Sequence, residues 1–159
     1  MDNFLPKDYT KVQKILELGY PAVHEHLAEI ILWLQDMNWP GSSTIANFLV
    51  SIGEPVIPHV KQVLAINDRG QDTGFKYNIL EQVVEKWPRE FVHQIESELM
   101  NLIWHEREDL DIEAIKVLSK HKLGDESKIR HAVENKIIGS EYRLAELRKI
   151  ENYLSTYGA

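Results

Sequence analysis

Two stretches of the chain repeat the same turn sequence. Residues 18–23 read Leu-Gly-Tyr-Pro-Ala-Val and residues 52–57 read Ile-Gly-Glu-Pro-Val-Ile, with Gly19 and Gly53 separated by 34 positions. Glycine suits the end of a helix because it adopts positive φ, and proline suits the start because its missing N–H would have no partner there. Pro88 and Gly124 mark looser copies further along. A period of this length with two helices per unit is typical of a helical solenoid.

The spacing of apolar residues supports this interpretation. Val23, Leu27, Ile30 and Leu34 recur at helical spacing between Pro21 and Gln35, and similar stripes follow to the C-terminus, with no convincing strand. We therefore predict one all-α domain over residues 1–159, a short right-handed α-solenoid of antiparallel helix pairs. About nine helices are expected, with stripes beginning at Tyr9, Val23, Ile45, Ile57, Leu80, Phe91, Ile112, Ile129 and Leu147. The expected N-caps are Ser43, Asp72, Asp111, Asp125 and Ser140.

The charge of the chain limits its partners. It has 25 acidic and 18 basic residues, a net charge of -7, of which residues 1–80 carry -3 and residues 81–159 carry -4. Nucleic-acid binding needs concentrated Lys and Arg, so we predict no nucleic-acid partner. A basic protein is favoured by charge, although the same charge also simply keeps a protein soluble. Since no apolar run approaches the ~20 residues of a membrane span and no signal peptide is evident, we expect a cytoplasmic protein without a membrane partner.

Motifs that carry catalysis or metal binding are not found in the sequence. There is no Cys, no Gly-x-Ser-x-Gly, no Gly-rich phosphate loop and no His-Glu-x-x-His. His24 and His26 are two residues apart, which places them on different sides of a helix. Convergence of His59 and His93 from adjacent repeats stays open. We therefore expect no enzyme activity, no cofactor and no metal.

One segment resembles a known family. Residues 33–40, Trp-Leu-Gln-Asp-Met-Asn-Trp-Pro, followed by Ser-Ile-Gly-Glu-Pro-Val-Ile-Pro-His at 51–59, are similar to a bacterial family of small HEAT-like domains of unknown function. The resemblance covers about residues 5–65. It implies a HEAT-like array and a bacterial origin, and it implies neither an activity nor catalytic residues.

The segment 36–40 joins two predicted helices and has two interpretations. Asp36, Asn38 and Pro40 are typical turn residues, and Trp39 can cover the junction between repeats. A ligand-contacting loop built on Asp36 and Trp39 is the functional alternative. Loop composition alone explains all four residues, so we favour the structural interpretation.

The second helix of each pair is expected to line one broad surface, which is the usual binding side of such arrays. Its outward residues are Glu25, Glu29, Lys61, Gln62, Gln94, Glu98, Asn101, Arg130 and Glu134. We predict a non-enzymatic protein-binding module that uses this surface. An ordinary solvated surface is the competing interpretation of the same residues.

Three alternatives remain open for the function. One is an immunity or inhibitor protein that neutralises a basic enzyme. Another is an enzyme of the nucleic-acid or bilin lyase type found among HEAT-like folds. The third is self-association through an apolar terminal helix bearing Tyr142, Tyr153, Leu154 and Tyr157, for which we expect a monomer or a weak dimer.

Overall fold

A computed structural model describes residues 9–66, 72–105 and 109–156, except for the side chains of Lys11 and of residues 152–156. Within these ranges the chain is helical, with nine α-helices and no β-strand, which confirms the predicted all-α class. The α-helices are α1 (Tyr9–Leu18), α2 (Leu27–Ile30), α3 (Ser42–Ile52), α4 (Ile57–Ala65), α5 (Thr73–Gln82), α6 (Arg89–His93), α7 (Glu96–Leu102), α8 (Leu110–His121) and α9 (Glu126–Thr156). Short 3₁₀ helices are η1 (His24–His26), η2 (Ile31–Gln35), η3 (Glu54–Val56) and η4 (Val84–Lys86).

Two compact units divide the chain, Met1–Gly124 and Asp125–Ala159. In the first unit α5 contacts the most elements, since it packs on α3, α4, α8 and η2. Its residues Phe75, Ile79 and Leu80 are buried in that core. The second unit contains α9. The single domain predicted over 1–159 stays a prediction.

Both Gly-x-Pro turns end a helix as predicted. Gly19 has φ +66° and Gly53 has φ +73°, and the Gly53 N–H donates to the Leu49 carbonyl at the end of α3. A Cβ at Gly53 would lie 2.7 Å from Cε2 of Phe91, whereas one at Gly19 would meet nothing within 4 Å. Gly53 is therefore required both by backbone conformation and by the close approach of the Phe91 ring.

The helix boundaries differ from the prediction in three places. The helix expected over residues 21–35 is divided into η1, α2 and η2, and the one expected over 91–103 is divided into α6 and α7. The amide of Ile95 donates to the Val92 carbonyl three residues back, and this tighter turn places both fully buried side chains in the core. The two C-terminal helices form one continuous α9, because Gly139 and Ser140 oppose a helix only weakly among strong helix formers.

The predicted N-caps are partly correct. Asp72 occupies the N-cap position of α5, and the Oδ1 atom of Asp125 accepts the Lys128 N–H at 3.1 Å. The prediction is wrong for Ser43 and Asp111, since α3 begins one residue earlier at Ser42 and α8 begins at Leu110, with the N-caps Gly41 and Asp109 preceding them. Ser140 lies in the interior of α9.

Candidate functional site

Two residues of the predicted binding surface meet between α4 and α7. Nζ of Lys61 lies 3.7 Å from Oε1 of Glu98, and both side chains are partly exposed. Nearby in the sequence, Nε2 of Gln94 donates a hydrogen bond of 3.3 Å to Oε1 of Glu54 in η3. Helices α4 and α7 also pack against each other. Two of the predicted surface residues, Lys61 and Glu98, are therefore brought together where α4 lies against α7.

The imidazole of His59 in α4 is influenced by burial and by the charge of His24 in η1. Burial lowers the pKa of the His59 imidazole, and repulsion by His24 of η1 lowers it further. The buried Nδ1 atom of His59 has no hydrogen-bond partner among the described residues. The His24 ring packs edge-on against Tyr20 with centroids 6.1 Å apart. Both effects disfavour the protonated form of His59 on the partly buried side of α4.

The other predicted surface residues fall into two groups. Glu25, Glu29, Gln62, Gln94 and Asn101 are exposed in the first unit. Arg130 and Glu134 belong to the second unit, where Arg130 pairs with Glu126 at 2.6 Å along α9. Seven of the nine predicted residues thus lie in the first unit, on η1, α2, α4, α7 and the turn before α7.

The loop after η2 is held together by its own residues. Oδ1 of Asp36 accepts the backbone N–H of Asn38 at 2.9 Å and its side-chain amide at 3.0 Å. The Pro40 carbonyl accepts the indole N–H of Trp33 at 3.1 Å, and the Trp39 ring packs edge-on to Trp33 at 6.4 Å. All four junction residues, Asp36, Asn38, Trp39 and Pro40, therefore act in the loop structure itself.

A polar cluster around buried Glu113, formed by α5, η4 and α8, was not predicted from the sequence. Glu113 is only 5% exposed, and its Oε1 atom lies 3.4 Å from Nζ of Lys116. Lys116 also donates to Oε2 of Glu85 at 2.9 Å, and Lys120 donates to the Glu85 carbonyl at 2.9 Å. The predicted stripe begins at Ile112, which is 51% exposed, whereas buried Leu110 lies three residues before Glu113 and places it on the buried side of α8.

Burial and the charge of Lys116 have opposite effects on the pKa values of the acidic residues in this cluster. Burial raises the pKa of Glu113, against the lowering effect of Lys116, while the hydrogen bond from Lys116 lowers the pKa of Glu85. Burial also raises the pKa of Tyr77, whose hydroxyl donates to Oε1 of Glu81 at 3.2 Å. Repulsion by Glu85 and Glu81 also raises the pKa of Glu113, and Lys116 offsets both Glu113 and Glu85, so this lysine joins η4 to α8.

Metal-binding groups are not found in the described ranges, where no three His, Asp or Glu side chains are arranged to hold an ion. Nδ1 of His93 lies 2.8 Å from Oε2 of Glu96, so its partner is on the neighbouring helix rather than His59. Among the residues whose placement is described, no helix has the length and apolar character needed to cross a bilayer.

Comparison with known families matches residues 5–123 to DUF5071, a domain of unknown function. The chain belongs to the DUF5071 family. The match extends well beyond residues 5–65, and it ends within one residue of the first compact unit, Met1–Gly124. The surface residues on α4 and α7 thus lie inside the DUF5071 region, whereas α9 lies outside it. No curated protein and no solved structure matches the chain.

Proposed function

We propose that the DUF5071 region is a protein-binding module built as a HEAT-like helical repeat. Its first helices follow one another in contact, α3 with α5 and α5 with α8, and the second helices α4 and α7 are also in contact. Contacts between equivalent helices of successive pairs are what a stacked array requires. One contact, between η2 and α5, departs from strict nearest-neighbour stacking. The contact between η2 and α5 includes a 2.9 Å hydrogen bond from Nδ2 of Asn78 to the Leu34 carbonyl.

The binding surface of this module is formed by η1, α2, α4 and α7. The observation that carries the proposal is the Lys61–Glu98 ion pair, which joins predicted surface residues from two successive helix pairs. Because Lys61 is paired within the chain, its charge is already offset. Glu25 and Glu29 are exposed and take part in no ion pair with the described residues. The surface therefore offers unpaired carboxylates to a partner.

The charge distribution favours a basic partner. Residues 1–124 contain 19 acidic and 12 basic residues and so carry the whole net charge of -7, while residues 125–159 contain six of each. Acidic surfaces attract basic proteins and increase their rate of association. The partner class is thus a basic protein, and the sharper form of the proposal is an inhibitor that neutralises a basic enzyme.

Charge reversal at one exposed position tests the proposal. Glu29→Lys changes the binding surface, and Glu17→Lys makes the same charge change on the exposed side of α1, outside it. Wild type and both variants are immobilised in equal amounts and used to capture proteins from an extract of the source cells. We expect basic proteins that are retained by wild type and E17K, lost by E29K, and released by moderate salt. Equal capture by E29K and E17K would contradict the proposed surface.

A further inference from the structure

The C-terminal helix α9 presents an apolar stripe to solvent. It has 31 residues, which corresponds to about 46 Å of helix. Its stripe begins with buried Ile129 in the first turn and continues through Ile137, Leu144 and Leu147, which are 52%, 49% and 61% exposed. Long helices in water are normally stabilised by packing of their apolar face. Exposed leucines in successive turns therefore indicate a surface that binds another molecule.

The charges of α9 indicate which molecule binds its apolar stripe. Residues 125–159 contain six acidic and six basic residues, so this unit is neutral in a chain whose net charge is -7. Acidic and basic side chains alternate along the exposed part, with Glu141, Arg143, Glu146 and Arg148 in order. Because such a helix carries both signs of charge, the acidic side chains of one copy can face the basic side chains of a second copy. We propose that two copies of the chain associate through antiparallel packing of α9.

The register follows from the heptad positions of a coiled coil. With Ile137 and Leu144 at a, Ser140 and Leu147 occupy d. In an antiparallel pair, a positions face d positions, so Leu144 of one copy packs on Leu147 of the other, and the reverse contact follows by two-fold symmetry. Two leucine layers thus form the centre of the interface.

The flanking charges select the antiparallel direction. Glu141 and Arg148 occupy e positions on either side of the leucine layers, and neither forms an ion pair with the described residues of its own chain. In the antiparallel register Glu141 faces Arg148 of the second copy, twice by symmetry. A parallel pair would instead place Arg143 beside Arg148 of the second copy and bring the two Glu151 side chains together at an a position. Both of these parallel contacts are repulsive, whereas the neighbouring parallel contact, Lys136 beside Glu141 of the second copy, is attractive.

Sedimentation equilibrium of the full chain across the micromolar range tests the interface. We expect a reversible dimer, and we expect Leu147→Glu to be monomeric because it places a carboxylate in each leucine layer. Ile138→Glu is the matched control, since Ile138 is 64% exposed on the opposite side of the helix. It should dimerise like wild type. Circular dichroism confirms that each variant keeps its helix content.

Charge exchange tests the antiparallel register. Glu141→Arg and Arg148→Glu each convert two attractive contacts into repulsive ones, so each variant alone should dimerise about tenfold more weakly. An equal mixture of the two variants restores opposite charges at both contacts and should form a heterodimer as readily as wild type dimerises. Stronger dimerisation of R148E would indicate a parallel pair and overturn the register. Monomeric wild type, or a dimer unaffected by L147E, would overturn the proposal.

Discussion

Substitution of Gly53 by alanine tests the turn between α3 and η3. Gly53 has φ +73° and ψ −120°, outside the left-handed helical region, so an L-residue there costs at least as much as a left-handed residue, about 1–2 kcal/mol. The added Cβ would lie 2.7 Å from Cε2 of Phe91, so the ring must move from its edge-on packing against Trp87 at 6.2 Å. Overpacking of this kind costs about 1–3 kcal/mol. We expect Gly53→Ala to lower the free energy of unfolding by about 2–5 kcal/mol.

Gly19→Ala is the matched control, because φ is also positive there and the added Cβ meets nothing within 4 Å. It should cost only the backbone part, about 1–2 kcal/mol. Urea unfolding followed by circular dichroism gives both values by linear extrapolation. In a Phe91→Leu background the cost of G53A should fall toward that of G19A, because the smaller side chain leaves room for the Cβ. If G53A costs no more than G19A, the close approach of Phe91 to Gly53 is wrong.

Three further stability predictions follow from buried and helical positions. Glu113→Gln should raise the free energy of unfolding at neutral pH, because burial raises the folded-state pKa of Glu113 and so disfavours its charged form. Urea unfolding at several pH values should show that this gain disappears below the ordinary glutamate pKa of 4.5, where Glu113 is protonated in both states. Burial lowers the pKa of His121 in the folded state, so the unfolded chain takes up a proton there first and the free energy of unfolding should decrease as the pH falls below 6.5. In His121→Gln, urea unfolding at several pH values should show a smaller decrease. Gly139→Ala should raise helix stability by about 0.5–1 kcal/mol in thermal melts, since Gly139 lies inside α9 in open space.

The sequence predicts the helical class and both Gly-x-Pro turns because each depends on local chemistry. Positive φ at Gly19 and Gly53 follows from residue type, and buried Val23, Leu27 and Ile30 follow from helical spacing. The division of 21–35 into three short helices depends on packing, which the spacing of apolar residues does not encode. The same holds for the continuity of α9 through Gly139 and Ser140, positions that are also frequent at helix ends.

The surface residues were predicted only in part. Helical spacing places Lys61 and Glu98 on outward positions of their helices, but their pairing at 3.7 Å depends on how α4 lies against α7. The polar cluster around buried Glu113 was missed because a charged residue is usually assigned to the solvent side of a helix. Lys116 pairs with Glu113 on its own helix and also with Glu85 of η4, and this second contact is not evident in the sequence because η4 and α8 are far apart in it.

Photocrosslinking from a single position tests the central proposal, that the surface on α2, α4 and α7 binds a basic protein. Gln62 is exposed on α4, in the middle helix of this surface, and Glu17 is exposed on α1 outside it. A photoreactive residue at position 62 should crosslink a basic protein in source cells, with a yield that falls as salt is raised in an extract. Position 17 should give no such product. The same products from both positions would contradict the proposed binding surface.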